Sequence, residues 1–326
     1  MSQQSRVAVC TLFEGNYHYG VAVLTNSLYA RGYRGDIYAG YRGDLPSWAG
    51  TAKENFSFLG EGGKTLKVAD GLQLHFVPVK TDYHLTNYKP DFMLKLWDGP
   101  AKDAASMFYF DPDIVVSAPW DFFQRWVAYG IALCEDVNSP LPENHPRRAA
   151  WRQYYRKKGI KLSFKETTYA NGGFIGLSNL NYSFLWIWKV MQEGMASAIG
   201  GLNCSALNGG SLHPDADGPF APFGKTDQDA LNAAIEAWEG EISFVGKEGM
   251  SITSGASLLP HALGQPKPWK WNPLTQALLG RPPRRVDHEY WRNAKGIVAA
   301  HSSSVIMQML ITLKIAGLIG RFYRRR

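Results

Sequence analysis

Apolar and polar positions along this chain switch repeatedly between the period of a strand and the period of a helix. Arg6 to Leu12 is a short apolar run and Phe13 to His18 is polar and aromatic. Tyr19 to Arg31 sets Val21, Leu24 and Leu28 on one helical face, and Gly32 stops it. Asp36 to Tyr41 resumes as strand, so the chain opens with a β-loop-α-β unit, in which ligands lie beyond the carboxyl ends of parallel strands. Leu72 to Val79 predicts a strand, Lys89 to Trp97 a helix, Met107 to Val116 a buried strand, Pro119 to Tyr129 an aromatic-rich helix and Ile131 to Val137 a further strand. Tyr169 to Leu177 begins a strand through Asn171 and two glycines, Tyr182 to Ala198 predicts a buried helix, and a further helix starts at Thr226. The pattern predicts an α/β fold: one domain over residues 1–280, its mostly parallel central sheet flanked by helices, and a basic C-terminal segment over 281–326.

The run MFYFDPDIVV carries the first candidate chemistry. Side chains two apart on a strand point the same way, so Asp111 and Asp113 can converge, while Pro112 cannot donate to a ladder. Two carboxylates so placed repel unless a cation joins them, and hard divalent ions accept oxygen ligands while leaving positions open for substrate phosphates. The plainer alternative is a strand-to-turn junction whose acids only cap and solvate. Further on, Thr226 or Asp227 caps the helix TDQDALNAAI, and capping does not account for Gln228 between two acids. In SLLPHALGQPKPWKW, His261, Gly264 and Lys267 recur at three-residue intervals: an imidazole, a glycine for close approach and a lysine for phosphate charge. Tyr17 offers a ring that could stack on a base or simply pack. The stretch from Gly200 to Lys225 is longer than ordinary connections and contains His213, Asp215 and Asp217, for which plain loop composition outweighs a second metal.

With 326 residues and 45% hydrophobic content the chain can bury a large core. Three widely spaced cysteines without metal-ligand spacing, and an N-terminus with no basic lead before a long apolar run, suit a reducing cytoplasmic compartment. No G-x-G-x-x-G fingerprint is present, which disfavours a dinucleotide cofactor. The net charge of +7 is segregated: 147–165 holds eight Lys and Arg with no acid, and 281–326 holds ten against two. The remainder is therefore 17 minus 26, or −9. Such segregation suggests a local anionic partner, and no nucleic-acid-binding motif accompanies either segment. Val305 to Gly320 is apolar apart from Gln308, Thr312 and Lys314, and four arginines follow by residue 326. This falls short of the roughly 20 apolar residues of a membrane span. It reads either as an interfacial helix on an anionic membrane surface or as a last helix packed on the core.

In order along the chain, F-D-P-D, Asn-Gly-Gly, Asp-Gln-Asp and H-x-x-G-x-x-K-P-W resemble glycosyltransferase family 8 and its glycogenin-like members, from about Val7 to Trp271. The resemblance implies a GT-A fold, a UDP-sugar donor, retention of configuration, and Mn²⁺, with Mg²⁺ possible. It implies Asp111, Asp113 and His261 as metal ligands, Asp111 also near the ribose, and Thr11, Leu12 and Tyr17 at the uracil. It further implies Lys95, Gly264 and Lys267 at the diphosphate or sugar, Asn171, Asp227 and Gln228 at the sugar pocket, and Gln228 on the face where a nucleophile would be sought. His301 is a weaker rival to His261. Pro112 between the acids, Gly172 in Asn-Gly-Gly and a shorter base-binding loop depart from the family pattern. The expected function is hexose transfer to a glycan or glycolipid acceptor, at the cytosolic face of a membrane. Two alternatives stay open: a catalytically silent nucleotide-sugar-binding scaffold, and an inverting transferase with Asp227 or Asp229 as base. The sequence does not specify the oligomeric state.

Overall fold

Strands and helices follow the apolar runs closely. The computed structural model describes residues 6–56, 60, 62–206 and 220–322. Contacts group the chain into two units whose segments interleave: the first runs to Leu12 and takes Pro78–Phe110 and Phe123–Lys247, the second Phe13–Val77, Asp111–Phe122 and the chain from Glu248.

The first unit contains β1 (Val7–Glu14) as far as Leu12, then β6 (Ser106–Phe110), β7 (Ile131–Cys134), β8 (Phe174–Ser178) and β9 (Ile242–Val245), in the order β1-β6-β8-β7-β9. β1 runs parallel to β6 and β7 parallel to β9, whereas β8 is antiparallel to both β6 and β7. The sheet is thus mixed, where a mostly parallel one was expected. β6 and β7 are buried at every residue, so their sequences lose the alternation that marks a half-exposed antiparallel strand. Phe108, Phe110, Phe123, Trp126 and Phe174 form one aromatic core cluster. Gly176 lies flat against the Phe108 ring, where a Cβ would collide. Helices α2 (Lys89–Trp97), α5 (Ser183–Ile199) and α6 (Asp227–Ala237) pack in series, α5 touching both others, while α3 (Trp120–Trp126) and α4 (Pro146–Lys157) come between α2 and α5 in sequence.

The second unit contains β2 (Gly35–Arg42), β3 (Lys53–Glu54), β4 (Lys64–Ala69) and β5 (Leu72–Pro78), in the order β3-β4-β5-β2. β4 and β5 form an antiparallel hairpin turned at Asp70-Gly71, where Gly71 takes φ +74°. Its helices include α1 (His18–Ala30), α7 (Pro273–Leu278), α8 (Arg285–Asn293) and α9 (Ser303–Gly320). Val23, Trp271, Val286, Tyr290, Trp291, Ile306 and Leu313 share one core cluster, so the basic C-terminal segment is part of the fold. Asn26 of α1 ties it down, donating to the carbonyls of Asn293 and Val298 and accepting from Val298 N–H.

Candidate functional site

β6 ends at Phe110, and the two acids lie beyond it in a turn closed by Ile114 N–H donating to the Asp111 carbonyl at 3.1 Å. The continuous strand expected to Val116 is therefore broken, and strand period is not what brings the carboxylates together. Instead Ile114 bridges His261 antiparallel, with Ala262 N–H donating to the Asp113 carbonyl and Val115 N–H to that of Pro260. These bonds lay the His261 loop along the Asp-Pro-Asp turn. On the other side Gly20 of α1 sits against the Pro112 carbonyl, at a spacing that a Cβ would violate.

Asp111, Asp113 and His261 each present a ligand atom, all within 4.8 Å of one another. His261 Nε2 lies 3.2 Å from Asp113 Oδ1 and 4.0 Å from Asp111 Oδ2. Ligands about 2.1 Å from an ion lie about 3 Å apart when adjacent and about 4.2 Å when opposite, so small side-chain rotations would seat a divalent cation. The donor set, two carboxylate oxygens and one imidazole nitrogen, suits such an ion. His261 Nδ1 is buried and has no hydrogen-bond partner among the described residues.

Lys267 completes the cluster, its ammonium on Asp113 Oδ2 and 2.7 Å from the Ala262 carbonyl. Burial alone would lower this lysine, but attraction by Asp113, Tyr17 and Asp111 holds it above its ordinary pKa. Burial pushes Asp113 up, yet Lys267 and His261 pull it further down, below the usual carboxylate range. The ammonium lies 5.8 Å from the Tyr17 ring centroid, and Tyr17 meets Trp269 edge-on at 5.5 Å. Gly264, at φ +70°, turns the loop between His261 and Lys267. His301 is elsewhere: it stacks on Tyr19, bonds the Tyr290 hydroxyl at 2.8 Å, and is lowered to about 4 by burial and then by His18. It is not in the three-ligand cluster found among the described residues.

Asn171, Asp227 and Gln228 meet within the first unit. Gln228 Oε1 accepts Gly172 N–H at 3.0 Å, and Lys89 Nζ joins the Gly172 carbonyl (2.8 Å) to Asp227 Oδ2 (3.1 Å). Asn171 donates to Asp136 at 2.7 Å and accepts Gly173 N–H at 2.9 Å. Asp229 is wholly buried, accepting from the Tyr169 hydroxyl and Lys225 N–H, and burial raises it to about 6. Thr226 precedes the helix at φ +38°, strained for a β-branched residue. Thr11 and Leu12 are buried in β1, the Thr11 hydroxyl without a partner among the described residues. Lys95 faces solvent. The buried cation of α2 is Lys89, which the sequence pattern did not single out. Nor did it show that Arg148 and Arg152, from the first basic segment, are bound to buried Glu236. His213, Asp215 and Asp217 lie outside the described residues.

Solved structures supply the comparison. The chain superposes on an apo structure of WbbM, a bifunctional glycosyltransferase, with TM-score 0.54 and 13% identity over 95% of its own length and 53% of that chain. GlyE, a glycosyltransferase of Streptococcus pneumoniae TIGR4, matches with TM-score 0.50 and 13% identity over 96% of this chain and 64% of that one. The chain shares the fold of these two glycosyltransferases. The chain spans between about half and two thirds of the length of these two structures. No protein-family profile matches it, and no curated protein sequence does.

Proposed function

We propose that this chain transfers a hexose from a UDP-sugar to a glycan or glycolipid acceptor with retention of configuration, using Mn²⁺ or Mg²⁺, and that its kinship is with glycosyltransferase family 8. The observation that carries this reading is the Asp111, Asp113 and His261 cluster with Lys267 beside it. A divalent ion bound there would supply Lewis-acid neutralisation of the charge that grows on a leaving diphosphate. Lys267, held charged in a largely buried place, brings a second positive charge to the same phosphates. The face of Tyr17 is assigned to the base, and Asn171, Asp227 and Gln228 to the sugar, on the family resemblance.

Gln228 is an amide already bonded to Gly172 N–H and is a poor nucleophile. Retention then fits front-face attack: the acceptor oxygen bonds the anomeric carbon as the bond to the diphosphate breaks, and the acceptor proton leaves on the phosphate. Asp227 and Asp229 are buried and engaged by Lys89 and by Tyr169, which suits neither to serve as the base of an inverting reaction. The Lys267–Asp113 ion pair favours one rival, a silent nucleotide-sugar binder whose acids are neutralised by its own lysine.

A panel of nucleotide sugars with Mn²⁺, read as nucleotide release, separates the two. Transfer requires release that EDTA abolishes and that Asp113→Asn lowers by at least about a hundredfold. Binding of a donor without turnover selects the silent binder, and turnover unchanged in Asp113→Asn rejects the metal-site reading.

A further inference from the structure

The helix α9 (Ser303–Gly320) is apolar on two opposite sides. At about 100° per residue, Ile306, Leu313 and Ala316 fall within about 80° of one another, and these are its buried residues. Met307, Ile311, Ile315 and Leu318 also fall within about 80°, on a stripe about 170° away from the first. Each of these four is more than 40% exposed. A last helix packed on a core ordinarily turns a polar face outward, and a contiguous apolar stripe on the outside marks an interaction surface. Only 17% of the helix is buried, although its mean hydropathy is 1.6.

The surface extends beyond the helix. α9 packs along α7 through its buried side, and Gly320 on that side lies against Pro282, so the segment after α7 reaches the C-terminal end of α9. Phe322, almost fully exposed, follows within one turn. Lys314 borders the stripe on its own helix, and Arg281 and Arg321 are exposed at the same end.

We infer that this face docks on an anionic lipid bilayer, α9 lying in the plane of the interface with Met307, Ile311, Ile315, Leu318 and Phe322 toward the acyl chains. The charge pattern selects a bilayer. The cations cluster at one end of an apolar stripe, the pattern of interfacial helices, which combine apolar burial with attraction to acidic headgroups. One side of α9 is committed to protein, so the helix lies on the membrane and does not cross it.

The test is sedimentation of the full chain with phosphatidylcholine vesicles, with and without a phosphatidylglycerol fraction. No donor or metal is added, so the outcome is independent of the proposed activity. The anionic fraction is expected to raise partitioning at least about tenfold at low salt, and salt to reverse the gain. Ile311→Asp with Leu318→Asp is expected to lower partitioning at least about tenfold with Tm unchanged. Absence of pelleting with anionic vesicles overturns the inference, as does unaltered pelleting of the double variant. A concentration-dependent dimer that the same variant abolishes, without vesicle binding, would assign the stripe to a second copy of the chain and overturn it too.

Discussion

The cluster around Asp113 and the knot around Gly172 hold comparable numbers of buried polar groups, yet they are compensated in opposite ways. In the knot, Lys89, Gln228, Asn171 and Asp136 satisfy one another: an ammonium between a carbonyl and a carboxylate, an amide on a backbone N–H, a second amide on a second carboxylate. In the cluster, Lys267 pairs with Asp113, and the His261 imidazole nitrogen lies near both carboxylates, so three ligand atoms converge within 4.8 Å of one another. A self-satisfied network fixes backbone geometry, whereas convergent carboxylate and imidazole ligand atoms suit a cation. The difference teaches which residues to expect as scaffold and which as ligand contacts.

Breaking the knot should cost the most stability. Lys89→Met leaves Asp227 buried without its ammonium and is expected to destabilise the fold by about 3–5 kcal/mol, whereas Lys95→Met should change it by less than about 0.5 kcal/mol. Urea denaturation of both variants checks this, and equal midpoints would erase the distinction drawn here. A smaller effect is expected from Gly20→Ala, whose methyl meets the Pro112 carbonyl. It should cost about 1–3 kcal/mol and weaken divalent-cation binding by moving the Asp-Pro-Asp turn, whereas Gly317→Ala, with open space around it, should do neither.

The smallest effect concerns Asp229. Its folded pKa is raised to about 6, so the stability it contributes is fully present below about pH 4 and is lost as pH rises through about 6. The Tm of the native chain relative to Asp229→Asn should therefore fall by a few degrees between pH 4 and pH 7, and a constant offset would refute the assignment.

Sequence made the grouping of Asp111, Asp113, His261 and Lys267 legible because its information is local: two acids around a proline, and a histidine, glycine and lysine at fixed spacing. It did not convey how the acids converge, since a turn and a single bridge to His261 replace the expected strand. Lys89 escaped notice because burial of a lysine depends on where distant Gly172 and Asp227 come to lie, which no periodicity encodes. Direction of pairing was hidden for a related reason: β8 runs antiparallel among fully buried strands that carry no alternation. β4 was missed because its residues are half exposed and mixed in character, although Asp70-Gly71 is a hairpin signal. α9 was read as either packed or interfacial, and the structure packs one apolar side and exposes the other.

Asp111, Asp113 and His261 are proposed to hold one divalent cation. Titration of Mn²⁺ into the full chain with UDP present, followed by electron paramagnetic resonance of the free ion, tests it directly. One ion per chain is predicted, with affinity reduced at least about tenfold in Asp113→Asn and in His261→Ala. No bound ion in the native chain, or the same affinity in both variants, would contradict the account.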